Sequence, residues 1–299
     1  MATTTRKKST VRKSRKKTAV KKGVSASLTT AIKQQTKGKP VKAGKPKVSK
    51  KAAKTGGSKS AMPSDLQPML ATLVDKPIDE PGWTYEIKWD GYRTLAYIDN
   101  GKVVLRSRNN KSFDEKFYPI YNAMQKWKVR AVVDGEIIVA NEKGISNFGD
   151  LQNWRSEADG HLSFYAFDLL WLDSRNLMEL PLHERREHLR SIIPAKSDHI
   201  FMSDNFEATG AEFFEAANKM GLEGIIAKKD DSTYVPGSRS KAWLKIKTQQ
   251  RQEVIICGYT RNENTSRQYS ALLLGLYENG ELLFVGPVGT GFSDKLQSE

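Results

Sequence analysis

An abrupt change of composition near residue 64 divides the chain into two parts that differ in their capacity to fold. Residues 1–64 hold 20 of the 49 Lys and Arg residues and none of the 34 Asp and Glu residues. The rest of the chain therefore holds 29 basic and 34 acidic residues, so the net charge of +15 comes from the N-terminal segment. That segment lacks aromatic residues and cannot bury enough apolar surface to offset its ordering entropy. We predict a disordered, Lys-rich tail over residues 1–62.

This charge also indicates the kind of partner. A flexible polycation binds phosphate backbones with an affinity that falls as salt rises, although a solubility or targeting role is the alternative. Residues 1–10 lack the apolar region of a secretory signal, and no run approaches the length of a membrane span. Cys257 is the single cysteine, which fits a reducing compartment. We expect a cytoplasmic protein with no membrane partner.

The first part of the body reads as strands joined by turns. Trp83, Tyr85, Ile87 and Trp89 alternate with polar residues, the period of a β-strand. Lys88 lies near the end of this strand, before Asp90-Gly91. Further strands are predicted over residues 92–98, 102–106, 131–140, 161–173, 224–229, 243–247 and 254–259. Hairpins are predicted at Asn100-Gly101 and at Asn279-Gly280, between 271–277 and 282–285.

Helices are predicted over residues 117–127, with Asp114 as N-cap, and over 181–193 and 210–220. The fold class is therefore α+β, followed by the start of an all-β unit. Two kinds of site are excluded. The run HERREH at 183–188 spaces its histidines five apart, so they do not share a helix face for zinc. No GxxxxGK[ST] loop exists to hold a nucleotide.

Six sequence blocks occur in a fixed order through the body: EIKWDGYR at 86–93, LRSRN at 105–109, DGEIIV at 134–139, FYAFDLLWLD at 164–173, EGIIAKK at 223–229 and WLKIK at 243–247. Together they resemble the nucleotidyltransferase motifs of ATP-dependent DNA ligases. Residues 231–247 are similar to the ligase module of bacterial ligase D, the end-joining enzyme that works with Ku. The resemblance covers about 160 residues.

The resemblance implies a fold and a reaction. It assigns residues 63–248 to a nucleotidyltransferase (ATP-grasp-like ligase) catalytic domain and residues 249–299 to an incomplete OB-fold β-barrel, since roughly 50 residues are too few for five strands and a helix. GPVGTGF at 286–292 resembles part of that barrel. The implied reaction forms a lysyl-AMP, passes AMP to a 5′-phosphate and ends with attack by the 3′-hydroxyl. ATP and Mg²⁺ or Mn²⁺ are the implied cofactors.

The resemblance also assigns roles to residues. Lys88 is the nucleophile, and an amine attacks only when it is unprotonated, so cations are expected around it. Glu86 lies beside the adenine, and Phe167 stacks on it with Ile225 and Ile226 on its other face. The remaining assignments are Arg93 and Arg108 on ribose or DNA phosphate, Glu136 on the ribose hydroxyl and a metal, Glu223 on the metal, and Lys228, Lys245 and Lys247 on phosphates. Asp90 belongs to the motif without an assigned step.

Each assignment has an ordinary structural alternative. Phe167 lies in an apolar run that is typical of a core, and Lys245 and Lys247 share a strand face that is often only solvated. The resemblance implies nicked or broken double-stranded DNA as substrate, a Ku-type partner, a monomer and a nucleoid-associated location.

The alternatives for the whole chain are an RNA ligase, a capping-type nucleotidyltransferase, or a DNA-packaging protein with a decayed ligase body. We expect deletion of residues 1–60 to lower DNA affinity without touching adenylylation. The final basic motif of the family is not found in residues 249–299, so a nick that already carries AMP is expected to be sealed better than an ordinary nick.

Overall fold

The computed structural model describes residues 28–38, 56–206, 208–248, 253–261, 269–289 and 292–293. The chain divides into two compact units, residues 1–248 and residues 249–299. The first unit holds two β-sheets and the second holds one. Among the described residues, no helix is long and apolar enough to cross a membrane.

The larger sheet of the first unit has seven strands: β1 (Ser58–Lys59), β4 (Tyr92–Asp99), β5 (Lys102–Ser107), β6 (Arg130–Val139), β7 (Leu162–Leu172), β8 (Arg175–Asn176) and β9 (Ile200–Met202). Their order across the sheet is β1-β8-β7-β6-β4-β5, with β9 beside β7. Strand β9 is parallel to β7, and the other pairs of this sheet are antiparallel. The predicted turn at Asn100-Gly101 is confirmed, because both residues have positive φ and β4 pairs antiparallel with β5.

The smaller sheet of the first unit has four strands: β2 (Leu70–Leu73), β3 (Trp83–Ile87), β10 (Gly224–Lys229) and β11 (Arg239–Lys247). Their order across the sheet is β2-β11-β10-β3. Strand β2 is parallel to β11, and the other pairs are antiparallel. Because β3 ends at Ile87, the Lys88 side chain stands just beyond a sheet strand, as the sequence predicts.

Five α-helices and one short 3-10 helix accompany the sheets in the described part of the chain. They are α1 (residues 28–36), α2 (Tyr118–Lys126), α3 (Phe148–Asn153), the 3-10 helix Glu157–Asp159, α4 (Leu182–Ile192) and α5 (Gly210–Lys219). The prediction that Asp114 caps α2 is wrong. The helix begins only at Tyr118, and Asp114 Oδ1 instead accepts a hydrogen bond from Leu105 N at 2.6 Å.

The apolar core covers both faces of the larger sheet. One cluster lies where the sheet meets α2, α3 and α4, and two others include residues of both sheets. Because neighbouring residues of a strand face opposite sides, Ile137 belongs to the first cluster and Ile138 to the second. Strand β7 is buried along its whole length, since both its faces are covered. This explains its unbroken apolar sequence.

The prediction of a disordered tail is wrong for residues 28–38. Leu28 and Ile32 lie four residues apart on one face of α1 and are buried against the body. Composition averaged over 64 residues concealed this short amphipathic segment. Residues 58–59 also fall within the predicted tail and form β1, which pairs with β8. Residues 1–27 and 39–55 lie outside the described residues, so the prediction is untested there.

The second unit is an open, antiparallel, three-stranded sheet consistent with an OB-fold-like domain. Its strands are β12 (Ile255–Arg261), β13 (Tyr269–Glu278) and β14 (Glu281–Val288). The second predicted hairpin is confirmed, because Asn279 and Gly280 connect β13 to β14 with φ of 52° and 87°. Cys257 is exposed on β12.

Candidate active site

Lys88 is held at the point where the chain leaves the smaller sheet. Its N–H donates to Gly224 O at 3.1 Å, which extends the pairing of β3 with β10 by one residue. The chain then turns into β4 of the larger sheet at Gly91. A Cβ on Gly91 would lie 2.2 Å from Ile137 O, so only glycine permits this close passage. The Asp-Gly of the motif therefore connects the two sheets with Lys88 at their junction.

The structure brings the ten predicted site residues together. Eight line one pocket: Glu86, Lys88, Arg93, Arg108, Glu136, Phe167, Lys228 and Lys245. The other two adjoin it, since Glu223 forms an ion pair with Lys88, and Lys247 Nζ lies 3.0 Å from Glu223 Oε1. Residues from β3, β4, β6, β7, β10 and β11 therefore converge on one site.

One end of the pocket is built on a buried triad of Glu86, Arg186 and Lys228. Glu86 Oε1 lies 2.6 Å from Arg186 Nη1 and 2.9 Å from Lys228 Nζ. All three side chains are at most 6% exposed. Burial lowers the pKa of Lys228, and the Glu86 carboxylate opposes this shift. Arg186 also donates to Phe167 O and Ser203 O, which fixes its guanidinium in the plane it needs for Glu86.

Lys228 lies apart from Lys245 and Lys247, the two lysines that the resemblance assigned with it to the phosphates. Its Nζ lies 4.3 Å from the ring centroids of both Phe167 and Trp243, within cation-π range. The resemblance assigned Lys228 to the phosphates, whereas here it joins Glu86 at the aromatic end of the pocket. Lys245 and Lys247, on β11, remain at the other end with Lys88.

A second buried network holds Arg93. Its guanidinium makes two hydrogen bonds to Asp134, at 2.5 and 2.6 Å, and stacks 4.5 Å from the Phe167 ring centroid. Tyr234 OH donates to Asp134 Oδ2 at 2.6 Å. Burial, followed by the Asp134 charge, raises the pKa of Tyr234. Arg93 is thus oriented over the aromatic ring, while its predicted contact with ribose or DNA phosphate stays a prediction.

Of the three residues predicted to contact the faces of the base, Phe167 and Ile226 line the pocket and Ile225 does not. Phe167 lines the pocket and also belongs to a core cluster, so both interpretations of this residue apply. Ile226 lines the pocket. Ile225 is fully buried in a different cluster, because neighbouring strand residues point to opposite sides. The prediction that Ile225 faces the pocket is therefore wrong.

The opposite end of the pocket carries a group of five cations, which we call the cation group. Burial lowers the pKa of Lys245, and so do the charges of Lys88, Arg239, Lys247 and Arg108. Five positive charges grouped at one end of a pocket form a site for an anion, which would relieve their repulsion. The sequence motifs contain all of the group except Arg239.

Two carboxylates beside Lys88 have the chemistry of a magnesium site. Burial raises the pKa of Glu136 to about 8, the Arg93 and Lys88 cations oppose this, and Asp134 and Glu223 add to it. The described residues hold no group of three or more His, Cys, Asp or Glu side chains arranged for a metal. Mg²⁺ needs no such group, because one or two carboxylates plus substrate phosphates and waters suffice. Glu136 and Glu223 therefore fit a cation whose coordination a nucleotide would complete.

Asp90, which the motif left without a role, connects two loops. Its carboxylate accepts a hydrogen bond from Phe148 N at 3.1 Å, in the first turn of α3, and its own N–H donates to Ser146 Oγ at 3.0 Å. Asp90 therefore fixes the segment 146–148 against the turn that follows Lys88.

Sequence reasoning missed three site residues: Arg186, Asp134 and Trp243. Arg186 lies within HERREH, on the helix predicted over residues 181–193, and no role was assigned to it. The signal was available, since Arg185 and Arg186 follow a helix start that also carries Leu182 and Leu189 on a buried face. Arg185 makes a fully buried ion pair with Asp168 at 2.8 Å. Two adjacent arginines on an otherwise apolar helix face predict buried carboxylate partners.

Comparison with known proteins gives the same picture. The family described as "ATP dependent DNA ligase domain" matches residues 68–247. The multifunctional non-homologous end joining protein LigD of Mycolicibacterium smegmatis is 39% identical over 242 residues, 79% of this chain and 31% of the relative. DNA ligase C1 of the same organism is 33% identical over 239 residues, 74% of this chain and 67% of the relative. The chain thus spans about a third of the length of the LigD proteins it matches.

Two solved structures share the fold. Mycobacterial DNA ligase D complexed with ATP and MES is 35% identical, with a TM-score of 0.58, and the match covers 78% of this chain and 75% of that one. The ligase domain of Mycobacterium tuberculosis LigD is 36% identical, with a TM-score of 0.57, and the match covers 77% and 75%.

Proposed function

Because the chain belongs to the family of ATP-dependent DNA ligase domains, we propose that it joins DNA strands through an AMP carried on Lys88. One observation carries this proposal: the pocket has a buried, paired end and an exposed, cationic end, and Lys88 belongs to the cationic end. The first end suits a planar base and the second suits phosphates. Lys88 is the member of the cation group nearest in sequence to Glu86 of the buried end, so its amine would face the α-phosphorus of a nucleotide whose base occupies that end.

The buried triad and the Arg93 network recognise the base and its sugar. Glu86 and Lys228 offer an acceptor and a donor to the edge of adenine, with Phe167 and Ile226 on its faces. Arg186 positions Glu86. This reassigns Lys228 from the phosphates to the base, a choice supported by its burial and by its ion pair with Glu86.

The cation group performs the transfer. Lys88 Nζ attacks the α-phosphorus; a P–N bond forms, the P–O bond to pyrophosphate breaks, and the lysine proton passes to Glu223, which is hydrogen-bonded to Nζ. The AMP then moves to a DNA 5′-phosphate, which breaks the P–N bond. Finally the 3′-hydroxyl attacks that 5′-phosphate: a new P–O bond forms, the P–O bond to AMP breaks, AMP departs and the hydroxyl proton is lost to solvent. Arg108, Arg239, Lys245 and Lys247 neutralise the phosphate charge throughout.

A divalent cation would complete this site. Glu136 would hold Mg²⁺ or Mn²⁺, together with Glu223 once its proton and its pairing with Lys88 are lost. Two carboxylates alone would repel the phosphates, and a bound cation would neutralise this negative charge.

The test is covalent labelling. The purified chain, incubated with ATP and Mg²⁺, is expected to gain the mass of one AMP, located on Lys88 by peptide mapping. GTP is expected not to replace ATP, which separates this function from that of a capping-type enzyme. Sealing is then measured on nicked DNA and on nicked RNA. No AMP on the chain, or sealing of RNA alone, would refute the proposal.

We further propose that residues 1–27, which hold ten basic residues, bind DNA non-specifically. This charge supports a nucleoid-associated location. Removal of positive charge from this segment should reduce the salt dependence of DNA binding. Equal slopes of affinity against salt, for the chain and for a variant with these ten residues changed to Gln, would exclude this role.

A Ku-type end-binding partner is proposed from the relatives, whose name assigns LigD to non-homologous end joining. The measurement is joining of two linear duplexes with and without a purified Ku protein. An unchanged joining rate would argue for a ligase that acts alone on nicks.

A further inference from the structure

Helix α1 lies outside residues 68–247, the part of the chain that the family accounts for, yet it is packed into the catalytic domain. Its buried residues are Leu28, Ile32, Gln35 and Thr36, spaced at i, i+4, i+7 and i+8. This spacing places them on one face of the helix. Lys33 and Gln34 are exposed. The segment is therefore an amphipathic helix with a defined inner face, although it comes from a tail with strongly basic composition.

The C-terminal end of α1 is shaped to fit the domain. Gly38 has φ of +66° and its N–H donates to Gln35 O at 2.9 Å, which closes the last turn. A Cβ on Gly38 would lie 2.8 Å from Phe201 Cζ, so the chain passes directly over that ring. Gln35 Nε2 donates to Met202 O at 3.2 Å, on the same strand β9. These contacts fix the helix end.

A short series of contacts leads from α1 to the residue that follows Lys88. Tyr165 OH donates to the Gln35 carbonyl at 2.8 Å. The Tyr165 ring stacks on the indole of Trp89, with centroids 3.9 Å apart and planes 19° from parallel. Both rings are buried. The indole is further held by its N–H, which donates to Ser203 Oγ at 3.1 Å.

A second series of contacts reaches Asp90. The turn at Gly144 passes beneath α1 so closely that a Cβ there would lie 2.6 Å from Thr36 Oγ1. Two residues later, Ser146 Oγ accepts a hydrogen bond from Asp90 N at 3.0 Å. Two independent series of contacts therefore connect α1 to the two residues immediately after Lys88.

We propose that residues 28–38 are a positioning element of the active site, which holds Trp89 and Asp90 so that Lys88 stays aligned for attack on the α-phosphorus. This inference rests on the proposed lysyl-AMP function. It changes the expectation that residues 1–60 are dispensable for adenylylation: residues 1–27 are, and residues 28–38 are not. The basic tail thus contains an arm for DNA and a separate segment for catalysis.

The test uses the full chain with one residue of α1 changed. Ile32→Asp introduces a charge on the buried face and is expected to release the helix. Gln34→Asp adds the same charge on the exposed face and is the matched control. The rate of AMP attachment at saturating ATP is expected to fall by about 10- to 100-fold in Ile32→Asp, as for a displacement of about 1 Å at a reacting group. The control should equal the parent.

Step selectivity separates positioning from a general loss of structure. A nick that already carries AMP does not require Lys88 as a nucleophile, so Ile32→Asp should seal it at close to the rate of the Gln34→Asp control. The apparent KM for ATP should also change far less than the rate of attachment. Equal loss on both steps would overturn the inference in favour of a structural role, and equal attachment rates in the two variants would overturn it outright.

A milder pair decides the question if Ile32→Asp unfolds the chain. Tyr165→Phe keeps the ring on Trp89 and removes only the hydrogen bond to Gln35 O. Tyr97 belongs to a different core cluster, and its buried hydroxyl accepts a hydrogen bond from Leu66 N; Tyr97→Phe removes that hydroxyl. Attachment of AMP should slow in the first variant only, with sealing of the adenylylated nick unchanged; no difference between the pair refutes the inference. Failure of the unmodified chain to take up AMP would instead refute the proposed function.

Discussion

The two ends of the pocket differ in how completely their charges are paired and buried. At one end, Glu86 is 2% exposed and contacts the cations of both Lys228 and Arg186. At the other end, the side chains of Lys88 and Glu223 are 18% and 21% exposed, and that of Lys247 is 52% exposed. The cation group holds five positive charges in mutual repulsion, with the Glu223 carboxylate paired to two of them.

This difference matches what the proposed reaction would require of each end. A base keeps one position through the whole reaction, so rigid, desolvated partners suit it. In the proposed reaction the phosphates change, because pyrophosphate leaves and a DNA 5′-phosphate enters, so partners that exchange with water suit them. Buried ion pairs are costly to break, whereas exposed pairs contribute little and exchange easily. Substitutions at the two ends should therefore produce different kinds of defect.

The largest effect is expected at Lys88, the proposed nucleophile of the exposed end. Lys88→Ala should abolish AMP attachment, because no other side chain supplies the nucleophile, and should leave thermal unfolding nearly unchanged, because the side chain is partly exposed. The measurement is intact mass after incubation with ATP.

Lys229→Ala is the control, since Lys229 follows Lys228 directly but is half-exposed and pairs with Asp231 at 3.6 Å, outside the pocket. This variant should label fully. Label on Lys88→Ala would show that another residue carries the AMP. The proposed roles of the two ends of the pocket, which depend on Lys88 as the nucleophile, would then be wrong.

The next largest effect is expected at the buried end and should appear in stability. Arg186→Met removes donors from Glu86, Phe167 O and Ser203 O, and the free energy of unfolding should fall by roughly 2–5 kcal/mol. The apparent KM for ATP should rise as well, because Glu86 loses its orientation. Urea unfolding and steady-state labelling measure the two effects.

Arg190→Met provides the contrast on the same helix. Arg190 pairs with Asp204 at 3.2 Å but is 45% exposed, so the loss should be below about 1 kcal/mol. Equal losses in the two arginine variants would show that burial does not distinguish the pairs, and the comparison between the two ends would fail.

The strands of the body and Lys88 could be predicted because local signals determine them. The period of two in β3 and the Asn-Gly turns act over a few residues, and the structure confirms both. The buried triad could not be predicted in the same way. Glu86 and Arg186 are 100 residues apart in sequence, and the packing of α4 against β7 brings Arg186 within reach of Glu86.

Helix α1 was missed for a different reason. Its four inward residues, Leu28, Ile32, Gln35 and Thr36, have the spacing of a helix face, but lysines on either side dominate the composition. A window the length of one helix would have shown the pattern, whereas an average over the tail concealed it.

A smaller effect is expected at Phe167, which belongs to both the pocket and the core. Phe167→Ala should weaken ATP binding by roughly 1–3 kcal/mol through the lost stacking face. Removal of the ring also takes away the surface beneath Arg93 and Lys228, so some stability is lost as well. Labelling at several ATP concentrations is the measurement. A folded variant with unchanged apparent KM would return Phe167 to the core alone.

The smallest effect is expected at Lys247, whose side chain is 52% exposed and therefore far more open to solvent than that of Lys88. Its contact with Glu223 is screened by solvent, so Lys247→Met should leave unfolding unchanged and slow AMP attachment by less than about tenfold, the equivalent of an exposed pair. The remaining four cations still hold the phosphates. Because salt screens exposed charges, the difference from the parent should shrink between low and high ionic strength. Lys245→Met is the matched comparison on the same strand face: Lys245 is less exposed than Lys247, so its charge is less screened by solvent and its loss should cost more at every salt concentration. If Lys247→Met were as defective as Lys88→Ala, or insensitive to salt, the exposed end would depend on one fixed ion pair, and the contrast with the buried triad would not hold.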